Sequence, residues 1–235
     1  METIAKQVKR GIEANPGRFW QLQDFPKLSA GAVAHALSRL CHEGLIKRYG
    51  RGIYYHPRKT MLGDAPPPTF ELVKLLARKR RVVRAGLSAF NKLGLTTQMP
   101  AIEIIATQAP IILPRVEVIH RDLERYGDAS DDAIMVLDAL GHLDDIPDTT
   151  PTEALYKLVD RFKQNYFTFT VNELSNIAMA DRPKVRAMVG LLGDLTGKIA
   201  TKERTKLERS INPLTKFKVS LAGIAPESLR AWHFG

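Results

Sequence analysis

The chain is poor in cysteine, in aromatic residues and in uninterrupted apolar stretches, and each shortage removes a class of protein. One cysteine, Cys41, in 235 residues excludes an intramolecular disulfide framework and any zinc site built from several cysteines, and it suits a reducing compartment. No apolar run approaches the roughly 20 residues that a membrane helix needs. The opening Met1-Glu2-Thr3-Ile4-Ala5-Lys6 alternates charge with apolar side chains and lacks the apolar core of a secretory signal. These features predict a cytoplasmic protein without a membrane partner. A Gly-rich phosphate loop, a nucleophile elbow and a paired Cys/His cluster are also missing, so no catalytic residue, no metal and no cofactor is expected, and the chain reads as a non-enzyme.

What is present is the composition of a folded chain, 44% apolar and 26% charged. The formal charge of +10 is unevenly spread. Residues 1–60 carry 11 Lys and Arg against 4 Asp and Glu, residues 61–160 are net acidic, and residues 161–235 are basic again. Two basic ends around an acidic middle predict more than one structural unit. Basic segments attract polyanions because neutralised phosphates release condensed counterions.

Ile4, Val8 and Ile12 repeat at helical spacing and predict a helix from Thr3 to Ala14, stopped by Asn15-Pro16-Gly17. Phe19–Leu22 predicts a short strand, and Asp24 is placed to cap a brief helical turn through Leu28. Ser29 is the next N-cap candidate, for a helix over 30–43 ended by Gly44. Val33, Ala36, Leu37 and Leu40 share one face of that helix. Gly31, His35, Ser38 and His42 point roughly opposite, with Arg39 at their edge. A small, polar outward stripe suits a helix that enters a major groove, where bulky side chains hold the backbone off the base edges. Leu45–Tyr49 and Ile53–Pro57, joined by Gly50-Arg51-Gly52, predict a hairpin carrying Lys47, Arg48 and Arg51 near its tip. Helix, strand, helix, helix and basic hairpin in that order is the winged helix-turn-helix plan.

A winged helix also serves as a protein-interaction module. His35 and His42 stand seven residues apart without an acidic partner on their stripe, which suits solvent or phosphate rather than a metal. Cys41 flanks the apolar face as a half-buried thiol. Phe19, Trp20 and Phe25 read as core.

The residues Ala32-Val33, Ala36-Leu37-Ser38-Arg39-Leu40, Gly44, Ile46, Arg48, Gly50-Arg51-Gly52-Ile53-Tyr54 and Pro57 resemble the N-terminal domain of the AbiEi-like antitoxins. These belong to abortive-infection, type IV toxin–antitoxin pairs. The ALSRL and GRGIY segments are specific mainly as a pair. The similarity continues through Ala85–Thr107 and covers about residues 3–145. The resemblance implies a winged helix that binds operator DNA of its own operon and represses it, and a C-terminal part that counters a nucleotidyltransferase-like toxin. Direct contact with the toxin is not implied, and a monomer or weak dimer binding repeats is expected. The DNA-binding residues are expected to be Ser29, Gly31, His35, Ser38, Arg39, His42, Lys47, Arg48 and Arg51. The alternatives are a module that neutralises the toxin by direct binding, or a transcriptional regulator unrelated to toxins.

Residues 61–68, with Pro66-Pro67-Pro68, predict a semi-rigid linker. Thr69 is placed to cap a helix through Lys79. The Arg78-Lys79-Arg80-Arg81 run at its end complements the helix dipole. Residues 102–107 and 114–120 read as strands bordering a hairpin-like connection, and 131–143 and 152–162 as helices. A mixed α/β domain over 69–164 follows. Asp131, Asp132, Asp138, Asp144, Asp145 and Asp148 fit no metal-loop spacing and read as acidic solvated surface. Residues 165–235 read as a mostly helical basic region. Its Lys198, Lys202, Arg204, Lys206 and Arg209 form either a second polyanion-facing surface or a solvated face. The fold class expected is therefore α+β.

Overall fold

Thr3 opens the first helix by accepting a hydrogen bond from the Lys6 amide, 3.4 Å away, in the computed structural model, which describes residues 2–235. The chain is a mixed α+β protein that folds as two units, divided after Lys79. In the first, helix α1 (Ile4–Glu13) buries Val8 and Ile12 completely. Strand β1 (Arg18–Trp20) follows, then a single 3-10 turn at Leu22–Asp24, and then α2 (Ala30–His42). Strands β2 (Lys47–Gly50) and β3 (Ile53–His56) complete an antiparallel sheet in the order β1-β3-β2. Val33, Leu37 and Leu40 of α2 pack with Val8, Ile12, Trp20, Ile46 and Tyr54 into one apolar core. The His56 imidazole Nδ1 donates to the Ile12 carbonyl at 2.9 Å and ties the sheet to the end of α1.

Asp24 does not start a helical turn. It closes the one before it, its carboxylate accepting from the Gln21 amide at 2.7 Å and from Arg18 at 2.8 Å. Nor is 61–68 wholly a linker. Met61 and Leu62 form the exposed tip of a second small hairpin, β4 (Lys59–Thr60) against β5 (Gly63–Asp64). Gly63, at φ +106, supplies the turn that proline-rich flanks obscure in the sequence. Pro66 accepts from the Tyr55 hydroxyl, at 3.4 Å, and leads into α3 (Thr69–Ala77), which has Pro68 rather than Thr69 at its N-cap. That helix belongs to the first unit, so the division falls after Lys79 and not at residues 61–68.

In the second unit, β6 (Val82–Arg84), β7 (Glu103–Thr107) and β8 (Val116–His120) form a sheet in the order β6-β7-β8, and helix α4 (Gly86–Lys92) connects β6 to β7. The pairing of β7 with β8 is parallel, with Glu103 opposite Val116, so the expected hairpin-like connection is overturned. Residues 108–115 run back along the strand instead. Pro110 is the centre of a tight turn closed by the Ile111 amide on the Ala109 carbonyl, at 3.0 Å, Ile111 is buried, and Pro114 with Arg115, at φ +61, forms a second turn closed by the Val116 amide on the Leu113 carbonyl, at 3.3 Å. The Arg115 carbonyl then accepts from the Glu103 amide at 2.9 Å, setting β8 level with the start of β7.

The helices that follow are α5 (Asp131–Gly141), α6 (Pro151–Lys163), α7 (Val171–Ala178), α8 (Pro183–Thr196), α9 (Thr201–Arg209) and α10 (Pro226–Ala231). Thr150 with Glu153, and Thr170 with Glu173, form reciprocal capping boxes that start α6 and α7. Residues 165–235 share a single apolar core with 80–164. Helix α8 lies at its centre, buried on most sides. Gly190 leaves the space that the Trp232 ring fills, and Trp232 Nε1 donates to Asp194 at 2.8 Å. A Cβ on Gly190 would stand 2.2 Å from that ring. Gly190→Ala is therefore expected to lower the unfolding free energy by about 1–3 kcal/mol, read as a lower urea midpoint in a circular-dichroism titration.

Candidate nucleic-acid interface

The apolar side of α2 is fixed inward by the core, which leaves the rest of its circumference to solvent. Ser29, Gly31, His35, Ser38, Arg39 and His42 are all exposed. Ser29 occupies the N-cap with extended backbone angles, but its side chain makes no capping hydrogen bond. Gly31 has a helical φ, and nothing lies within 4 Å of where its Cβ would be. No contact inside the protein calls for glycine there. Arg39 sits 3.6 Å from Glu43 one turn on, an exposed pair that holds it loosely along the helix. Ile4 and Ala5 of α1 line a shallow groove with His35, Ser38, Arg39 and His42.

The hairpin behaves differently from its sequence expectation at one position. Adjacent strand residues point to opposite faces. Arg48 lies opposite Tyr54, whose ring is in the core beneath the helices, so it shares the helix side of the sheet. Its Nε donates to the Gly50 carbonyl at 3.2 Å across the bulge. Lys47 lies opposite Tyr55 on the other face and is held 3.1 Å from Asp64 of the second hairpin. Lys47 is thus not at the tip, and the three cations do not converge. The tip is Gly50-Arg51-Gly52, with Gly52 at φ +77, and Arg51 is exposed there without an ion pair among the described residues.

Asp64 also accepts from Lys59 at 2.6 Å. Hydrogen bonds from Lys59 and then from Lys47 hold its carboxyl below the ordinary carboxylate range. Phe19 and Trp20 are buried and Phe25 half-buried, as core residues, and Cys41 is half-buried.

The acidic stretch of the second unit is not uniformly solvated. Asp138 is buried, 2.7 Å from Arg121 Nη1, and one of its oxygens accepts from the Gly86 amide at 3.0 Å. Asp148 binds the Thr96 and Thr97 hydroxyls. Arg81, from the basic run, is likewise structural, bonded to Asp131 and to the Gly127 and Ala129 carbonyls. Of the basic residues near the C-terminus, Lys198 donates to the Phe162 and Lys163 carbonyls and Arg204 pairs with Asp194 and Glu208. Lys202, Lys206 and Arg209 line an open groove with Thr201, Thr205 and Met179. The sequence shows the Arg204–Glu208 pair one turn apart but not the Asp194 partner of Arg204 or the carbonyl partners of Lys198, which lie on other helices.

Residues 4–113 match the model of a family described as a family of unknown function (DUF6088). No curated protein matches the chain. Among solved structures, a crystal structure of the RV2827C protein from Mycobacterium tuberculosis superposes with a TM-score of 0.52 at 12% identity, covering 97% of this chain and 88% of that one. At that identity the likeness concerns the fold.

Two outcomes follow from the geometry. Gly31→Ala is expected to stabilise the first unit by up to about 1 kcal/mol, because alanine gains helix propensity and meets nothing, and thermal unfolding reads the gain. Asp64 is expected to titrate below a free aspartate in side-chain NMR. Since its folded pKa is depressed, its contribution to stability is present above the unfolded value and is lost as pH falls through the folded one.

Proposed function

We propose that residues 1–60 form a winged helix-turn-helix that binds operator DNA, and that the protein is an antitoxin repressing its own operon while its C-terminal part counters a nucleotidyltransferase-like toxin. The observation that carries this reading is the pairing of a slim, open α2 face with an exposed arginine at the tip of the adjacent hairpin. In the proposed complex α2 lies in the major groove, with Gly31 allowing close approach and His35, Ser38, Arg39 and His42 within reach of base edges. The amides at the start of α2, beside Ser29, hold a phosphate. Arg48 and Arg51 reach the neighbouring backbone or minor groove. Lys47, committed to Asp64 on the opposite face of the sheet, braces the hairpin rather than touching DNA. The antitoxin part of the proposal rests on the motif resemblance to AbiEi-like antitoxins.

Fluorescence anisotropy on the upstream region of the protein's own gene tests the interface. Arg51→Ala is expected to weaken binding to specific and random duplexes alike and to reduce the log–log salt slope by about one. His35→Ala is expected to change the ratio between them instead. Gly31→Ala, though folded and more stable, is expected to bind the operator less tightly. An unchanged affinity and salt slope in Arg51→Ala would remove the hairpin from the interface.

A further inference from the structure

We infer that the second unit holds a binding site for a small phosphate monoester, formed by Arg121, Arg125 and Arg182, with His142 orienting Arg182. The site stands apart from the DNA-binding reading of the first unit. These residues line one cavity of about 270 Å³, together with the buried carboxylates of Asp138 and Asp181. Three guanidinium groups meet two carboxylates there, so the cavity keeps a net positive charge.

The way the acids are occupied shows which cations have donors to spare. Asp138 is committed to Arg121 and to the Gly86 amide. Asp181 accepts from the Tyr126 hydroxyl at 2.7 Å and from its neighbour's backbone amide, Arg182 N, at 2.8 Å. Burial, and then that hydrogen bond, push the Tyr126 phenol up to about 12, so it stays a donor at neutral pH. Arg125 Cζ stands 4.6 Å from the centre of the Tyr126 ring, and its Nη2 donates to the Tyr126 hydroxyl and only approaches Asp181, at 3.7 Å, which leaves its other N–H groups unused. Arg182 Nη2 meets His142 Nε2 at 3.3 Å, while His142 Nδ1 lies 2.9 Å from the Asp138 carbonyl. A guanidinium can only donate, so the imidazole proton is on Nδ1 and Nε2 accepts from Arg182. That bond uses one of the five N–H groups of Arg182 and orients its fork.

A burial this costly for two carboxylates is compensated by fixed arginines, whose remaining donors face a partly enclosed space. Planar forks bind oxyanions in pairs of parallel hydrogen bonds, and several around one cavity favour a dianion over a monoanion. A second cavity shares Arg121, Asp138 and His142 and continues over Leu87, Phe90, Ile119 and Pro147, with Asp145 also on its lining. This apolar floor accommodates the organic body of an ester, which selects a monoester over inorganic phosphate.

Calorimetric titration of the full chain with phenyl phosphate, inorganic phosphate and benzoate tests this. Phenyl phosphate is expected to bind most tightly, inorganic phosphate more weakly, and benzoate most weakly. Arg182→Gln and Arg125→Gln, both at exposed positions where folding can be verified by circular dichroism, are each expected to weaken phenyl phosphate about tenfold or more. Arg230→Gln, elsewhere on the surface, is expected to leave it unchanged. Absence of saturable binding at millimolar phenyl phosphate, equal binding of benzoate, or equal losses in Arg230→Gln and Arg182→Gln would each overturn the site.

Discussion

The packing of Val33, Leu37 and Leu40 against Val8 and Ile12 is the constraint on which the first unit depends. It fixes the rotation of α2 about its own axis, and with it the set of residues that face outward. The outward set is small and polar because nothing on that side needs to be covered. The same core holds Trp20 and Tyr54, so the sheet beneath the helices is fixed in register by the side chains that orient α2. One apolar cluster thus positions both the helix face and the hairpin next to it.

The second unit solves a different problem. Its sheet has only β6, β7 and β8, too few strands to enclose a core, and the helices supply the rest. Helix α8 is buried nearly all round, and its glycines admit the Trp232 and Ile199 side chains close to its backbone. Around the rim, charged residues do structural tasks. Arg81 satisfies the Gly127 and Ala129 carbonyls of an irregular segment, Lys198 the last carbonyls of α6, and Arg204 the Asp194 carboxylate of α8. A positive composition in this unit therefore says little by itself about partners. Its meaning depends on which cations remain uncommitted.

Much of the first unit was legible because its signals are local. The spacing of Ile4, Val8 and Ile12, the four apolar positions of α2 and the Gly50-Arg51-Gly52 turn each fit within one or two turns of backbone. The opposite facing of Lys47 and Arg48 was also implicit in strand alternation, but a cluster of like charges masks it. The partner of Lys47, Asp64, lies on a hairpin that adjacent prolines disguise as linker. In the second unit the illegible features are those that depend on remote partners. β-propensity marks 102–107 and 114–120 as strands but carries no information on their relative direction. Asp138 sits in a run of aspartates and reads as solvated, yet Arg121 and Gly86 draw it inside. For the same reason Arg125, Asp181 and Arg182 give no sign in the sequence that they share a cavity.

The hairpin tip is supported from behind. A methyl group at Gly50 would stand 3.0 Å from the Leu76 side chain of α3, so the bulged strand rests closely on that helix, while Arg48 clasps the Gly50 carbonyl and Asp64 holds Lys47. A loop braced in this way has already surrendered most of its conformational entropy in the free protein. Whatever Arg51 grips, little further ordering of the backbone is needed at the moment of contact, and more of the contact energy is left to appear as affinity.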